Sequence, residues 1–459
     1  MPAQVRAGSN QQVRIAFTLA SLTHAAGQNV VMLLAFRYFT DNLAMAAATV
    51  GLLFAVVKIY DGVLDPMLGA VSDQTRSALG RRLPYLLGGS VLMPVAIVLL
   101  FSAPASLSAT ALWIFVAAVM IVHATAYTAL TIPGMAMVVE VTDDFHERST
   151  LMSYRVIGNT IGTLAGSTLP AWLLARWGSS RAGHIDVSWV VAGIVMFAGL
   201  LSVALLRGSV RSTLVANPPR LRFANLSQQL QLAWHNHPFR LLAIAHIFVL
   251  IGTATTSISN AYFTRYILKR SDNWLGNYYL FATLGVVVSM PLWLKIGQIA
   301  GKKRCYIASM LGFGILHLTW FFVAQSEPYA LLVTRALLIG VASAGMILFA
   351  YSMLSDAIRY DYIQTGLRRE GSFAGFTSLI DKVSAAAGIA GLGALMTAMG
   401  YVQSTSAGQT PQSDQAMMAI YIGFTIVPAV CMVCGVLAIS GHRLEAVDLL
   451  ESNREKELA

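Results

Sequence analysis

The sequence predicts an all-α membrane protein, with twelve transmembrane helices in two six-helix, pseudo-symmetric bundles. Three observations predict it. Of 459 residues, 56% are hydrophobic and only 11% charged, where a soluble domain carries about 25% charged residues. Apolar stretches long enough to cross a hydrocarbon core recur along the whole chain. The longest polar stretch, 208–239, divides those apolar stretches six and six.

The spans are predicted at 14–38, 48–71, 84–104, 109–139, 150–176 and 187–207, then at 240–267, 274–299, 303–325, 328–355, 371–400 and 414–440. Residues 1–207 are thus a first bundle, 208–239 a cytoplasmic middle loop, 240–440 a second bundle and 441–459 a cytoplasmic tail. The first span exceeds a signal-peptide core in length and holds His24 and Gln28, so it reads as a retained helix. On the fifth span Gly158, Gly162 and Gly166 recur every four residues, a spacing that lets backbones approach closely. Gly388, Gly391 and Gly393 do similar duty on the eleventh. The twelfth carries Cys431 and Cys434, a C-x-x-C with no further Cys or His nearby, which reads as two small packing residues. The tail, with Leu444, Val447, Leu449 and Leu450 among charges, fits a short interfacial helix or a frayed end.

Lys and Arg set the orientation. Arg6, Arg14, Arg76, Arg81, Arg82, Arg207, Arg211, Lys302, Lys303, Arg304 and Arg359 fall in loops or span ends of one side, while the loops near 105, 326 and 405 have none. Arg176, Arg181, Lys269 and Arg270 are the exceptions. The basic side is the cytoplasm, with both termini there. The net charge of +10 therefore reports membrane orientation, and nucleic acid is not an expected partner. The lipid bilayer is the expected partner, for a monomer in a plasma membrane of the bacterial inner-membrane type.

The chemistry begins in the second span. Lys58, Asp61 and Asp65 lie inside it, and a charge at mid-bilayer costs roughly 2.5 to 3.5 kcal/mol even on insertion scales. Asp61 and Asp65 are spaced i, i+4 and share one helix face, with Lys58 beside them. Two acids and a base in a span imply a transporter. A structural ion pair with Lys58 or Lys382 is the competing reading. The turn after this span, Gly80-Arg81-Arg82, recurs in weaker form as Gly301-Lys302-Lys303-Arg304 after the eighth. Parallel halves of this kind are the major facilitator arrangement.

Three stretches carry a family resemblance. The first runs from Tyr60-Asp61 through Asp65-Pro66 to Gly80-Arg81-Arg82-Leu83-Pro84. The second is Tyr127-Thr128-Ala129-Leu130-Thr131-Ile132-Pro133, followed by Glu147-Arg148-Ser149 and Tyr154-Arg155. The third is Ser355-Asp356-Ala357-Ile358-Arg359-Tyr360 and Thr365-Gly366-Leu367-Arg368-Arg369-Glu370-Gly371, ahead of Asp381-Lys382. In order and spacing they resemble the glycoside–pentoside–hexuronide:cation symporters of the major facilitator superfamily.

The resemblance implies a cation site at Asp61, Asp65 and Thr128, with Lys382 near it, and a sugar contact at Arg155. If the coupling ion is sodium, Asp61, Asp65 and Thr128 are its metal ligands. No resident cofactor is expected beyond that ion, a proton or sodium. Four positions depart from the family. Ala25 and Thr131 stand where carboxylates hold a galactoside, Leu64 replaces an amide, and Arg359 replaces an acid. A carboxylate accepts several sugar hydroxyls, Thr131 fewer and Ala25 none. Leu64 removes an oxygen that sodium would use, which favours a proton.

His24, Gln28 and Thr131 are the remaining polar candidates for substrate. His24 also reads as a packing residue, and Arg155 as a cap on the turn before its helix. Asp73, Arg76, Arg81 and Arg82 read as a cytoplasmic gate. The expected function is a cation-coupled symporter taking up a glycoside, sugar acid or related solute by alternating access. A lysolipid or other amphiphile is the alternative cargo. A membrane enzyme would need a nucleophile, metal cluster or phosphate loop, and a sensor an appended signalling domain. The sequence offers none of these.

Overall fold

A computed structural model describes residues 11–104, 106–142, 144–207, 234–366, 369–405 and 410–442. Most of the middle loop and the tail therefore lie outside the described residues. Among those described, the elements are helical throughout: α1 Gln11–Asp41, α2 Ala47–Gln74, α3 Leu83–Phe101, α4 Ala109–Val141, α5 Phe145–Trp177, α6 Arg181–Leu206, α7 His237–Ile267, α8 Asp272–Ala300, α9 Lys302–Phe322, α10 Tyr329–Thr365, α11 Glu370–Ala398 and α12 Asp414–Ser440. Eleven of these are long and apolar enough to cross a membrane; α5 is equally long but more polar.

Several boundaries differ from the sequence expectation. α10 runs to Thr365 rather than 355, and α5 begins at Phe145 rather than 150. A hydropathy window sees only the apolar part of a helix, while the backbone hydrogen bonds continue into polar sequence. α10 stops at Gly366, whose φ of 68° is the left-handed cap; its N–H bonds the Tyr362 carbonyl at 2.8 Å. The motif Ser355 to Tyr360 is consequently helix, not loop.

The exposed side of α2 is apolar. Leu52, Val56, Ile59, Val63 and Met67, spaced three and four apart, form an exposed stripe, while Phe54, Val57 and Asp61 are buried. That is the reverse of a water-soluble helix and suits a lipid neighbour.

The chain divides into two compact units. The first holds 1–221 with 270–276 and 402–411; the second holds 222–269, 277–401 and 412–459. Within the first, α1 packs on α5 and α6, α3 on α4 and α6, and α2 on α4. Lipid tails are as apolar as Leu, so close van der Waals fit rather than hydrophobic burial must hold such helices together. The α5 glycines supply it. A Cβ at Gly158, Gly162 or Gly166 would come within 2.1, 2.6 or 2.3 Å of the Thr18, Leu22 and Ala26 carbonyl oxygens of α1. Within the second unit, α7 packs on α11 and α12, and α9 on α10 and α12. Gly388 touches the Ile251 carbonyl of α7 in the same way, whereas Gly391 faces open space. Cys431 and Cys434 are free thiols.

Candidate functional site

α2 and α4 bring the acids together. Asp61 and Thr128 are buried, and Thr128 Oγ1 lies 2.7 Å from Asp61 Oδ1 and 3.1 Å from Asp65 Oδ1. The local sequence explains the meeting. Asp61 and Asp65 occupy one face of α2 by their i, i+4 spacing, and α4 crosses that face with a β-branched hydroxyl. A threonine hydroxyl carries a single proton. Two carboxylate oxygens converging on one hydrogen set two like charges side by side, an arrangement that a proton or a cation stabilises. Tyr60, next to Asp61, reaches the same helix through a 2.9 Å bond between its hydroxyl and Thr125 Oγ1.

The other predicted residues separate into groups. Lys58 and Gln28 line a cavity with Asp61, between α1, α2 and α4. His24, one turn before Gln28, turns instead to Tyr127, with ring centroids 6.0 Å apart and edge-on. Both His24 ring nitrogens are buried and have no hydrogen-bond partner among the described residues. Arg155 docks on α4, its Nη1 donating to the Gly134 carbonyl at 2.7 Å, one residue past Pro133. Among the described residues its hydrogen bond is with the body of α4. Thr131 Oγ1 donates to the Tyr127 carbonyl of its own helix at 3.0 Å, leaving only acceptor capacity. Lys382 lies on α11 of the second unit. Its neighbour Asp381 bonds His246 Nε2 of α7 at 2.9 Å.

The gate candidates meet a residue that sequence reading passed over. Glu140, buried near the end of α4, bonds Arg81 and lies 3.1 Å from Arg82 Nε. Arg82 also reaches Asp73 of α2 at 2.8 Å. The cluster ties α2, α3 and α4 within one unit. Arg76 is exposed and makes no ion pair among the described residues. Glu140 sits in the apolar run Met135 to Val141, and that setting was the available signal. Arg37 was missed too. It is buried at the end of α1 and pairs at 2.6 Å with Asp272, which belongs to the same unit and also accepts from Ser179 at 2.5 Å. Breaking one partner of such a buried pair costs about 3–5 kcal/mol. No group of three or more metal-ligating side chains occurs among the described residues.

With this geometry established, known proteins supply context. The family described as MFS/sugar transport protein matches residues 16–445. The chain is 28% identical over 431 residues to the uncharacterized symporter YnaJ of Bacillus subtilis, covering 92% of this chain and 89% of the relative. It is 26% identical over 412 residues to the putative glycoside/cation symporter YagG of Escherichia coli, covering 88% and 85%. Among solved structures, the nucleoside transporter NupG superposes with a TM-score of 0.65 at 12% identity, over 94% of this chain and 100% of that one. At that identity the likeness concerns the fold alone.

Proposed function

The chain belongs to the MFS/sugar transport protein family, and from that premise we propose that it couples inward movement of a cation to uptake of a glycoside or sugar acid by alternating access. It is an integral membrane transporter rather than an enzyme. The observation that carries the coupling mechanism is the Thr128 hydroxyl shared between Asp61 and Asp65. A cation entering from outside neutralises this pair. Substrate then binds and the loaded carrier changes its open side. The proton is the favoured ion. Sodium wants several hard oxygens, and Leu64 offers none beside the pair.

Arg155 is the substrate contact in this scheme, with His24 beside it and Thr131 as a weaker acceptor. A fixed cation with no carboxylate at Ala25 or Thr131 selects a cargo carrying its own negative group. Asp73, Arg81 and Arg82 act as a gate through Glu140, holding α3 to α2 and α4 in one state and releasing it in the other. The protein works as a monomer in a bacterial inner membrane, both termini in the cytoplasm.

The test is uptake into vesicles of a panel of labelled neutral glycosides, sugar acids and lysolipids, with and without pH and sodium gradients. Concentration of an anionic glycoside under a pH gradient alone is expected. Concentration of lysolipids only, or uptake indifferent to both gradients, would overturn the reading.

A further inference from the structure

The cavity between α1, α2 and α4 has a volume of about 20 Å³, room for about one water, and four polar side chains converge on it: Gln28 from α1, Lys58 and Asp61 from α2, and His123 from α4. His123 is buried, and its Nε2 lies 3.1 Å from the Gly27 carbonyl oxygen of α1. A carbonyl only accepts, so Nε2 carries the ring's proton and Nδ1 of the neutral ring is left as an acceptor. Lys58 and Asp61 are the charged groups within electrostatic reach of the ring. Among the described residues they are also the other titratable groups lining the cavity; α3, which packs on α4, contributes none.

Position along the helices gives the cavity a direction. At 1.5 Å per residue, His123 stands roughly 7.5 Å before Thr128 on α4, and Lys58 roughly 4.5 Å before Asp61 on α2. α2 and α4 start at the same end of the unit, after the segments 42–46 and 102–108. Asp61 therefore has two sides. Thr128 and Asp65 lie on one, and the cavity with His123 lies on the other, toward the end expected to face outward.

We propose that this cavity is the entry compartment for the coupling proton and that His123 hands the proton to Asp61. The ring gains a second proton at Nδ1 while Nε2–H stays on the Gly27 carbonyl. The Nδ1–H bond then breaks as an O–H bond forms on the Asp61 carboxylate, directly or through cavity water. Imidazolium becomes neutral imidazole, carboxylate becomes carboxylic acid, and the net charge is unchanged. This rests on the reading that Asp61 carries the coupling ion.

The experiment uses the full-length protein in lipid nanodiscs without substrate. An acid pH jump is followed by time-resolved infrared absorption of the protonated-carboxyl stretch, and the Asp61 band is defined as the one lost in Asp61→Asn. In His123→Gln and His123→Asn that band should appear at least tenfold more slowly, and added imidazole should restore part of the rate. A wild-type rate in both variants overturns the proposal and leaves the cation site standing. No Asp61-dependent band in the wild type overturns the underlying reading and the proposal together. Should neither variant fold, nitrogen NMR of histidine-labelled wild type decides it. A His123 ring that keeps its single Nε2 proton across the whole range in which Asp61 titrates overturns the relay.

Discussion

The two units repeat one packing scheme, yet α2 carries two acids in mid-helix where its counterpart α8 carries an acid only in its first turn, Asp272. The repeat reaches fine detail. α1 meets α5 and α6 as α7 meets α11 and α12. Each of α1 and α7 carries one π-helical turn near its end, Val31–Ala35 and Phe263–Ile267. Gly80 before α3 and Gly301 before α9 both take positive φ, 88° and 83°, a conformation that costs a residue with a Cβ. Arg81 bonds Glu140 of α4, which also forms an ion pair with Arg82, and Lys302 bonds Asp356 of α10 at 2.6 Å. α2 and α8 each hold a proline, Pro66 and Pro291. Counting back from it, Met290 corresponds to Asp65 and Val286 to Asp61. Features present in both copies serve what both units must do, which is to pack and move. The acid pair exists once, and it marks where the chemistry differs.

The largest expected effect breaks that asymmetry. Asp61→Asn or Asp65→Asn should reduce gradient-driven accumulation to simple equilibration while the protein still reaches the membrane. Val286→Asn and Met290→Asn should keep accumulation. Loss in all four, measured in right-side-out vesicles, would mean that the acids are merely structural. Next comes Arg155→Ala. A hydrogen bond to a charged group is worth about 1.5–3 kcal/mol, so binding of an anionic glycoside should weaken about ten- to hundredfold. Neutral glycosides should change little in the same competition assay, and equal losses for both would assign Arg155 to its Gly134 bond alone.

Much of this was legible in the sequence. Apolar windows located all twelve helices, and the i, i+4 spacing put the two acids on one helix face; Thr128 was implied by the family resemblance. What stayed hidden depends on distance rather than pattern. Glu140, His123, Arg37 and His246 are single polar residues in apolar runs, and their partners lie far away in sequence. Gln28 and His24 looked like one subsite because they are a turn apart. Tertiary packing divides them: Gln28 lines the cavity and His24 meets Tyr127. The length of α10 was hidden because polar residues continue a helix without any hydropathic sign.

Smaller effects sharpen the packing half of the comparison. Gly158→Leu and Gly388→Leu should each cost about 1–3 kcal/mol through overpacking against α1 and α7, read as thermal unfolding in detergent. Gly391→Ala, with open space around it, should be neutral. A neutral Gly388→Leu would deny the second unit its share of the repeat. The smallest change expected is a severalfold rise in sodium-stimulated uptake in Leu64→Asn, which returns an oxygen beside the pair. No response to sodium in that variant would remove Leu64 from the choice of ion.

The most direct test follows protons rather than cargo. In lightly buffered, sodium-free proteoliposome suspensions, adding the best-transported glycoside of the panel should make the external medium alkaline in wild type and leave it unchanged in Asp61→Asn. Uptake without alkalinisation in wild type, or undiminished alkalinisation in Asp61→Asn, would contradict proton coupling through the Asp61–Thr128–Asp65 site.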